Sequence, residues 1–205
     1  MYLIRRFFPI HRFNYSNKAI KILTISDTIF YSGMALTEVI FSIFILAQIK
    51  GATVVNLGIA NSLFMTGVFS TEPFFSKFFD IHGEKIPFYG FIIGNLMKSV
   101  FRMLFIFINS IGMYYIVFFL LGISHSIEFP SFAKLFSKHL DRGFESSEWG
   151  IKDVLVSLGN IITLFLSGYI IVIFGYKVLF VLSSLVMLIA GVLIPWVYKK
   201  EFIQN

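Results

Sequence analysis

Six ionisable residues, Asp27, Glu38, Lys98, Arg102, His125 and Glu128, interrupt stretches that are otherwise apolar. Such groups can bind or move protons, pair with one another, or hold a charged ligand. A charge at the centre of a bilayer costs about 3 kcal/mol on insertion scales, so each should face a protein interior or a watery cavity. On a helix Thr24, Asp27, Tyr31, Met34, Glu38 and Ser42 share an arc of about 80°. That polar stripe suits a solute or proton pathway, and equally a seam that packs on a neighbour or pairs with Lys98 or Arg102. His125 and Glu128, spaced i, i+3, share a face. A metal would need further ligands from other segments, and only Asp27 matches in depth, so neither metal nor cofactor is assigned. In Gly122-Ile123-Ser124-His125 the Ser and His are chain neighbours and point about 100° apart on a helix, which excludes a dyad. No catalytic constellation is visible, and the reading is not an enzyme.

The elements that must position these groups follow from composition. Of 205 residues, 57% are hydrophobic, 14% are charged and 27 are Phe. A soluble domain carries roughly 25% charge. A soluble globular enzyme, a disordered chain and a nucleic-acid-binding module are therefore excluded, and the lipid bilayer is the first partner. About 20 apolar residues at 1.5 Å each span the hydrocarbon. The pattern predicts an all-α membrane protein with six transmembrane helices over about 22–49, 54–79, 86–108, 111–133, 151–173 and 176–198. Period-two alternation, which a membrane barrel would need, is missing from these runs. A basic and aromatic segment, 1–21, precedes the six-helix domain 22–198, and a short tail, 199–205, follows. The first residues lack a short apolar run with a cleavage site, so they read as retained. Cysteine is absent, which excludes disulfides and thiol chemistry.

Thirteen of the seventeen Lys and Arg fall on one side of this arrangement: Arg5, Arg6, Arg12, Lys18, Lys21, Lys77, Lys85, Lys134, Lys138, Arg142, Lys152, Lys199 and Lys200. The positive-inside rule makes that side, and both termini, cytoplasmic, in a multi-pass plasma-membrane protein. Counted along straight helices, Asp27, His125 and Glu128 form an inner group about 5–9 Å above the inner edge. Glu38, Asn61, Lys98 and Arg102 form an outer group at about 18–24 Å, and Asn160 falls near mid-membrane. Small residues of the fifth span, Gly159, Gly168 and Gly175 among them, share an arc with Asn160 and read as a helix-packing seam.

Between the second and third spans stands Ser76-Lys77-Phe78-Phe79-Asp80-Ile81-His82-Gly83-Glu84-Lys85. Asp80, Gly83 and Lys85 match the Gly-x-x-x-Asp-Arg-x-Gly-Arg-Arg signature of the major facilitator superfamily. Gly122, Pro130, Trp149-Gly150, Gly159, Gly168 and Phe174-Gly175-Tyr176 are similar to that family's fourth and fifth helices and the turn into the sixth. The chain therefore resembles one six-helix half of such a transporter, over roughly residues 20 to 198. The fourth-helix Arg of many members is absent near Phe118, and Thr163-Leu164 replaces the antiporter Gly-Pro, so proton antiport and drug efflux are not implied.

The resemblance implies a secondary transporter of a small solute working by alternating access, as a same-orientation homodimer or with a second half. Asp27, Tyr31, Glu38, Asn61, His125, Glu128 and Asn160 would line the pathway. Asp80, Gly83 and Lys85 would form a cytoplasmic gate, with Lys98 and Arg102 as intramembrane charge partners. The alternative is a non-transporting membrane scaffold or assembly partner, whose charges serve only as interhelical pairs.

Overall fold

The computed structural model describes residues 16–203. Most of the basic N-terminal segment, residues 1–15, and the last two residues of the tail lie outside the described residues. Helix α1 is Lys18–Gln48, α2 Val54–Asp80, α3 Lys85–Leu104 with a tighter turn at Phe105–Phe107, and α4 Ile111–His139. The run Glu145–Leu188 is broken at Gly175 (φ 78°, ψ 174°). We call the limb 145–174 α5, and the limb 176–197, with its π turn Ile189–Leu193, α6.

Polar side chains set several helix starts. The Asn17 side-chain oxygen Oδ1 accepts from Ile20 N–H at 3.0 Å, and Ser110 Oγ accepts from Met113 N–H at 3.3 Å. Each satisfies one of the donors that a first turn leaves free. At the other end of α2, Lys134 donates to the carbonyls of Phe79, Asp80 (3.1 Å) and His82 (2.7 Å). A cation is favourable at a C-terminus because the last carbonyls carry partial negative charge.

By length and composition, five helices among the described residues could cross a membrane, the last being the 53-residue run Glu145–Val197. That run is not straight. A Cβ on Gly159 would strike Ser32, and one on Gly33 would strike Val186 at 2.9 Å. Positions 159 and 186 thus reach the same level of α1, whereas a straight helix would part them by about 40 Å. The reversal lies at Gly175, whose positive φ strains any residue with a Cβ. The sequence pattern makes Gly175 a packing glycine. The structure corrects this, since a Cβ there would meet nothing within 4 Å and the residue works through its backbone angles.

Two aromatic clusters bracket the interior. One, on the side of the C-terminal residues, joins Phe88, Phe91, Phe132, Phe136 and Phe202; the other joins Phe41, Phe44, Phe105, Tyr114 and Phe180. Between them lies a layer of buried polar side chains. Apolar packing flanks that layer at either end, so a buried polar group within it costs free energy unless it finds a partner.

Close approaches of backbone set the geometry of the layer. Gly67 and Gly122 bring α2 against α4, a Cβ on Gly67 lying only 2.7 Å from the Phe119 carbonyl. On α3, Gly90 faces Ser131 and Phe79, and Gly94 faces Glu128. Small residues of this kind let helices touch where lipid gives no hydrophobic push. In α6, Pro195 has no N–H for the carbonyl of Gly191, four residues back. Asn95 donates to that carbonyl at 3.3 Å, and Ser26 donates to the neighbouring Ala190 carbonyl at 2.6 Å. The π turn, in which Ile194 N–H reaches back to Ile189, turns these carbonyls toward α3 and α1.

Candidate intramembrane charge site

Two ion pairs occupy the polar layer. Lys98 of α3 pairs with Glu128 of α4; the residues are 5% and 1% exposed. Asp27 of α1, 2% exposed, pairs with Lys152 of α5 at 3.1 Å. Lys152 lies over the rings of Phe132 and Trp149, and its ammonium also reaches Asp153 at 3.4 Å. His125 presents Nδ1 at 3.3 Å from the Lys98 ammonium and 3.9 Å from Glu128, with part of its ring open to the surface. Both carboxylates are almost fully buried, so removing the cation that faces one is far costlier than never having built the pair.

The level of Lys98 departs from the estimate made by counting apolar residues. Glu128 lies eleven residues before the end of α4 at His139, and Lys98 thirteen after the start of α3 at Lys85. At 1.5 Å per residue those heights are about 16 and 20 Å, close enough for a long side chain to bridge. The apolar run ends at 133, but the helix continues through Lys134 and Lys138. Lys98 therefore belongs with His125 and Glu128, not with the outer group.

Arg102 takes a different partner from Lys98. It is buried, donates through Nη1 to Thr37 Oγ1 at 2.7 Å, and has its guanidinium 4.9 Å from the Phe41 ring centre. Its Nε has no hydrogen-bond partner among the described residues. Glu38, next to Thr37, is exposed and forms no ion pair with Lys98 or Arg102. The α1 stripe thus changes along its length: Thr24 and Asp27 are buried, Tyr31 and Met34 half-buried, Glu38 and Ser42 open.

Asn61 lies on the open face of α2 and donates to its own helix, to the Leu57 carbonyl at 2.9 Å. Its neighbours behave alike: Ser62, Thr66 and Ser70 donate to the carbonyls of Gly58, Ser62 and Thr66 at 3.0, 2.8 and 2.7 Å. Asn160 is half-buried, and its side-chain oxygen has no partner among the described residues. Gly159 lies close against Ser32 of α1. Gly168 does not, because its face is open and a Cβ there would meet nothing.

In the 2–3 turn, Asp80 and Lys85 are exposed, and neither carries an ion pair among the described residues. Gly83 turns without a positive φ, so its lack of a Cβ is not demanded by conformation. Asp80 borders a groove of about 600 Å³ with Glu72, Ser76, Pro130, Lys134 and Lys138. Lys138 reaches the turn itself through an ion pair to Glu84.

Sequence reasoning missed Lys152, Thr37, Asn95 and Gly94. Lys152 counts in the sequence only as one of the thirteen same-side cations at the edge of the expected span 151–173, yet the helix begins at Glu145 and places it two turns in. The signal for a helix start was present in Glu145 and Glu148, the acidic first turn of α5. Gly90, Gly94 and Lys98, at i, i+4 and i+8, likewise mark one face of α3 for close packing with a cation on it.

A bundle of apolar helices with a buried charge layer is a fold-level likeness shared by many membrane proteins. The deciding observation is that the family model for the Major Facilitator Superfamily matches residues 23–203. The chain belongs to the major facilitator superfamily. That range takes in α1 to α6, both ion pairs and the 2–3 turn. The superfamily is one of membrane transporters rather than enzymes, so a transporter in the general sense and a multi-pass integral membrane protein are established. Comparison with curated proteins gives no match.

Proposed function

We propose that this superfamily member is a half-size secondary transporter, carrying a small solute by alternating access between two six-helix halves. In this reading the chain crosses the membrane six times, α5 and α6 counting as two, with both termini cytoplasmic. The second half is another copy in the same orientation or a separate chain. The observation that carries the reading is the open polar face of α1: Glu38 and Ser42 are exposed at helix positions flanked by exposed Val39 and Ile43. A carboxylate held against lipid is costly, whereas water in a cavity between halves would solvate it. Asp27 and Glu128 are already paired within one half, which leaves Glu38, alone of the three acids that interrupt the apolar stretches, free to meet solute or ion. The Lys and Arg bias supports the orientation.

The test is flux of a panel of solutes into proteoliposomes containing the purified chain. Glu38→Gln should reduce uptake of the transported solute at least tenfold and change its pH profile. Unchanged uptake would make Glu38 structural, and absence of flux for every solute from folded protein favours the scaffold alternative. Because the chain has no cysteine, Asn61→Cys reports on the open face of α2 directly. Recovery of only monomer after crosslinking in lipid would remove the homodimer.

A further inference from the structure

We propose that His125 is a proton-binding site that competes with Lys98 for Glu128. The geometry requires a particular state of the ring. An ammonium has three donors and no acceptor, so His125 Nδ1, 3.3 Å from Lys98 Nζ, must offer its lone pair. With Lys98 charged, His125 is therefore neutral and carries its hydrogen on Nε2.

A proton arriving at Nδ1 removes that lone pair and sets two cations face to face. The new N–H can instead donate to Glu128 Oε2, now 3.9 Å away, which lies one turn along the same helix. The carboxylate then exchanges its Lys98 contact for an imidazolium contact, and the one covalent change is the new N–H on Nδ1. Lys98 has a place to go. Its ammonium is already 5.8 Å from the ring centre of Phe30 on α1, on the side where Asp27 lies. Proton binding thus shifts a cation from α4 toward α1.

Every element around the ring takes part in this balance. Lys98 faces it from α3 and Glu128 from α4 itself; Phe64 of α2 and Phe129 of α4 flank the ring at 5.9 and 5.4 Å. From α1 the titratable groups facing the layer are Asp27, which Lys152 of α5 holds, and Tyr31. His125 is the member of the trio with access from outside, its side chain being 28% exposed against 7% for Lys98 and 1% for Glu128. That is the arrangement a proton acceptor needs: an open ring edge leading to a closed ion pair.

The inference does not depend on the solute or on flux, since its readout is the ring. Protein labelled with ¹⁵N-histidine and ¹⁵N-lysine is titrated in lipid nanodiscs by NMR, with His125→Gln assigning the ring signal. In the unsubstituted protein the Lys98 Nζ signal should move with the same midpoint as His125, and in His125→Gln it should stay still. Lys98→Met should raise the His125 midpoint by about one pH unit, a tenfold gain in proton affinity, and Glu128→Gln should lower it by a similar amount. A Lys98 signal that stays flat through the His125 titration overturns the proposal. So does a ring that never titrates while the fold persists. Both readings come from the unsubstituted chain, so the proposal can fail even if neither Lys98→Met nor Glu128→Gln folds.

Discussion

Gly94→Ala isolates the contact on which the Lys98–Glu128 pair depends. An alanine Cβ would lie 2.5 Å from Glu128 Cβ, 2.6 Å from its N and 2.7 Å from its Cα, where carbon atoms normally approach to about 3.5 Å. Two of the three atoms are α4 backbone, so no side-chain rotation relieves the clash and α3 must retreat by about 1 Å. Overpacking of this sort costs about 1–3 kcal/mol, offset by up to about 1 kcal/mol from the helix preference of Ala over Gly. Stretching the buried pair adds to the loss, and the net expectation is about 2 kcal/mol of destabilisation. Gly168→Ala is the matched control, since it also lies inside a helix but meets nothing, and should gain about 0.5–1 kcal/mol. Reversible unfolding in mixed detergent micelles, followed by far-UV circular dichroism, reads both. If Gly94→Ala stays within about 0.5 kcal/mol of the parent, or Gly168→Ala loses as much, close packing does not hold α3 on α4.

Three further outcomes are expected. Lys152→Met strands Asp27 as an unpaired buried acid and should cost about 3–5 kcal/mol in the same assay, while adding Asp27→Asn should recover most of the loss. Asn95→Leu leaves the Gly191 carbonyl without a donor, at a cost of about 1–3 kcal/mol. In a Pro195→Ala background, where position 195 regains an N–H, a double-mutant cycle should show that cost reduced. Gly175→Ala should lose about 1–2 kcal/mol from its positive φ, and limited proteolysis should cut faster near 175 than in the parent.

The helices were legible because apolar runs of spanning length have few other solutions in a chain this poor in charge. Their ends were less so. The charged turns Lys134–His139 and 145–150 extend α4 and begin α5 beyond the apolar runs, and hydropathy cannot register a helix that continues into water. That shift left Lys152 at the edge of its expected span rather than two turns inside a helix, and misplaced Lys98 by several ångströms relative to Glu128. Partner choice was not legible either. Lys98 and Arg102 are one turn apart and chemically alike, yet one finds a carboxylate and the other a hydroxyl. Gly94 decides this by letting Glu128 come close, and that is a property of two helices together. Gly175 carried the right residue type for the wrong reason, since only a backbone angle distinguishes a reversing glycine from a packing one.

The hydroxyl ladder of α2 has a consequence for how that helix can change neighbours. Ser62, Thr66 and Ser70, with the Asn61 amide, turn donor hydrogens back to carbonyls one turn earlier on the same rod. A hydroxyl has one hydrogen to give, so the serines and threonine offer lone pairs outward and demand nothing from whatever lies beside them. Lipid, water or another helix can cover such a surface at similar cost, and none needs to be torn away bond by bond when it leaves. The face is polar in composition yet nearly frictionless in contact, as a bearing surface is.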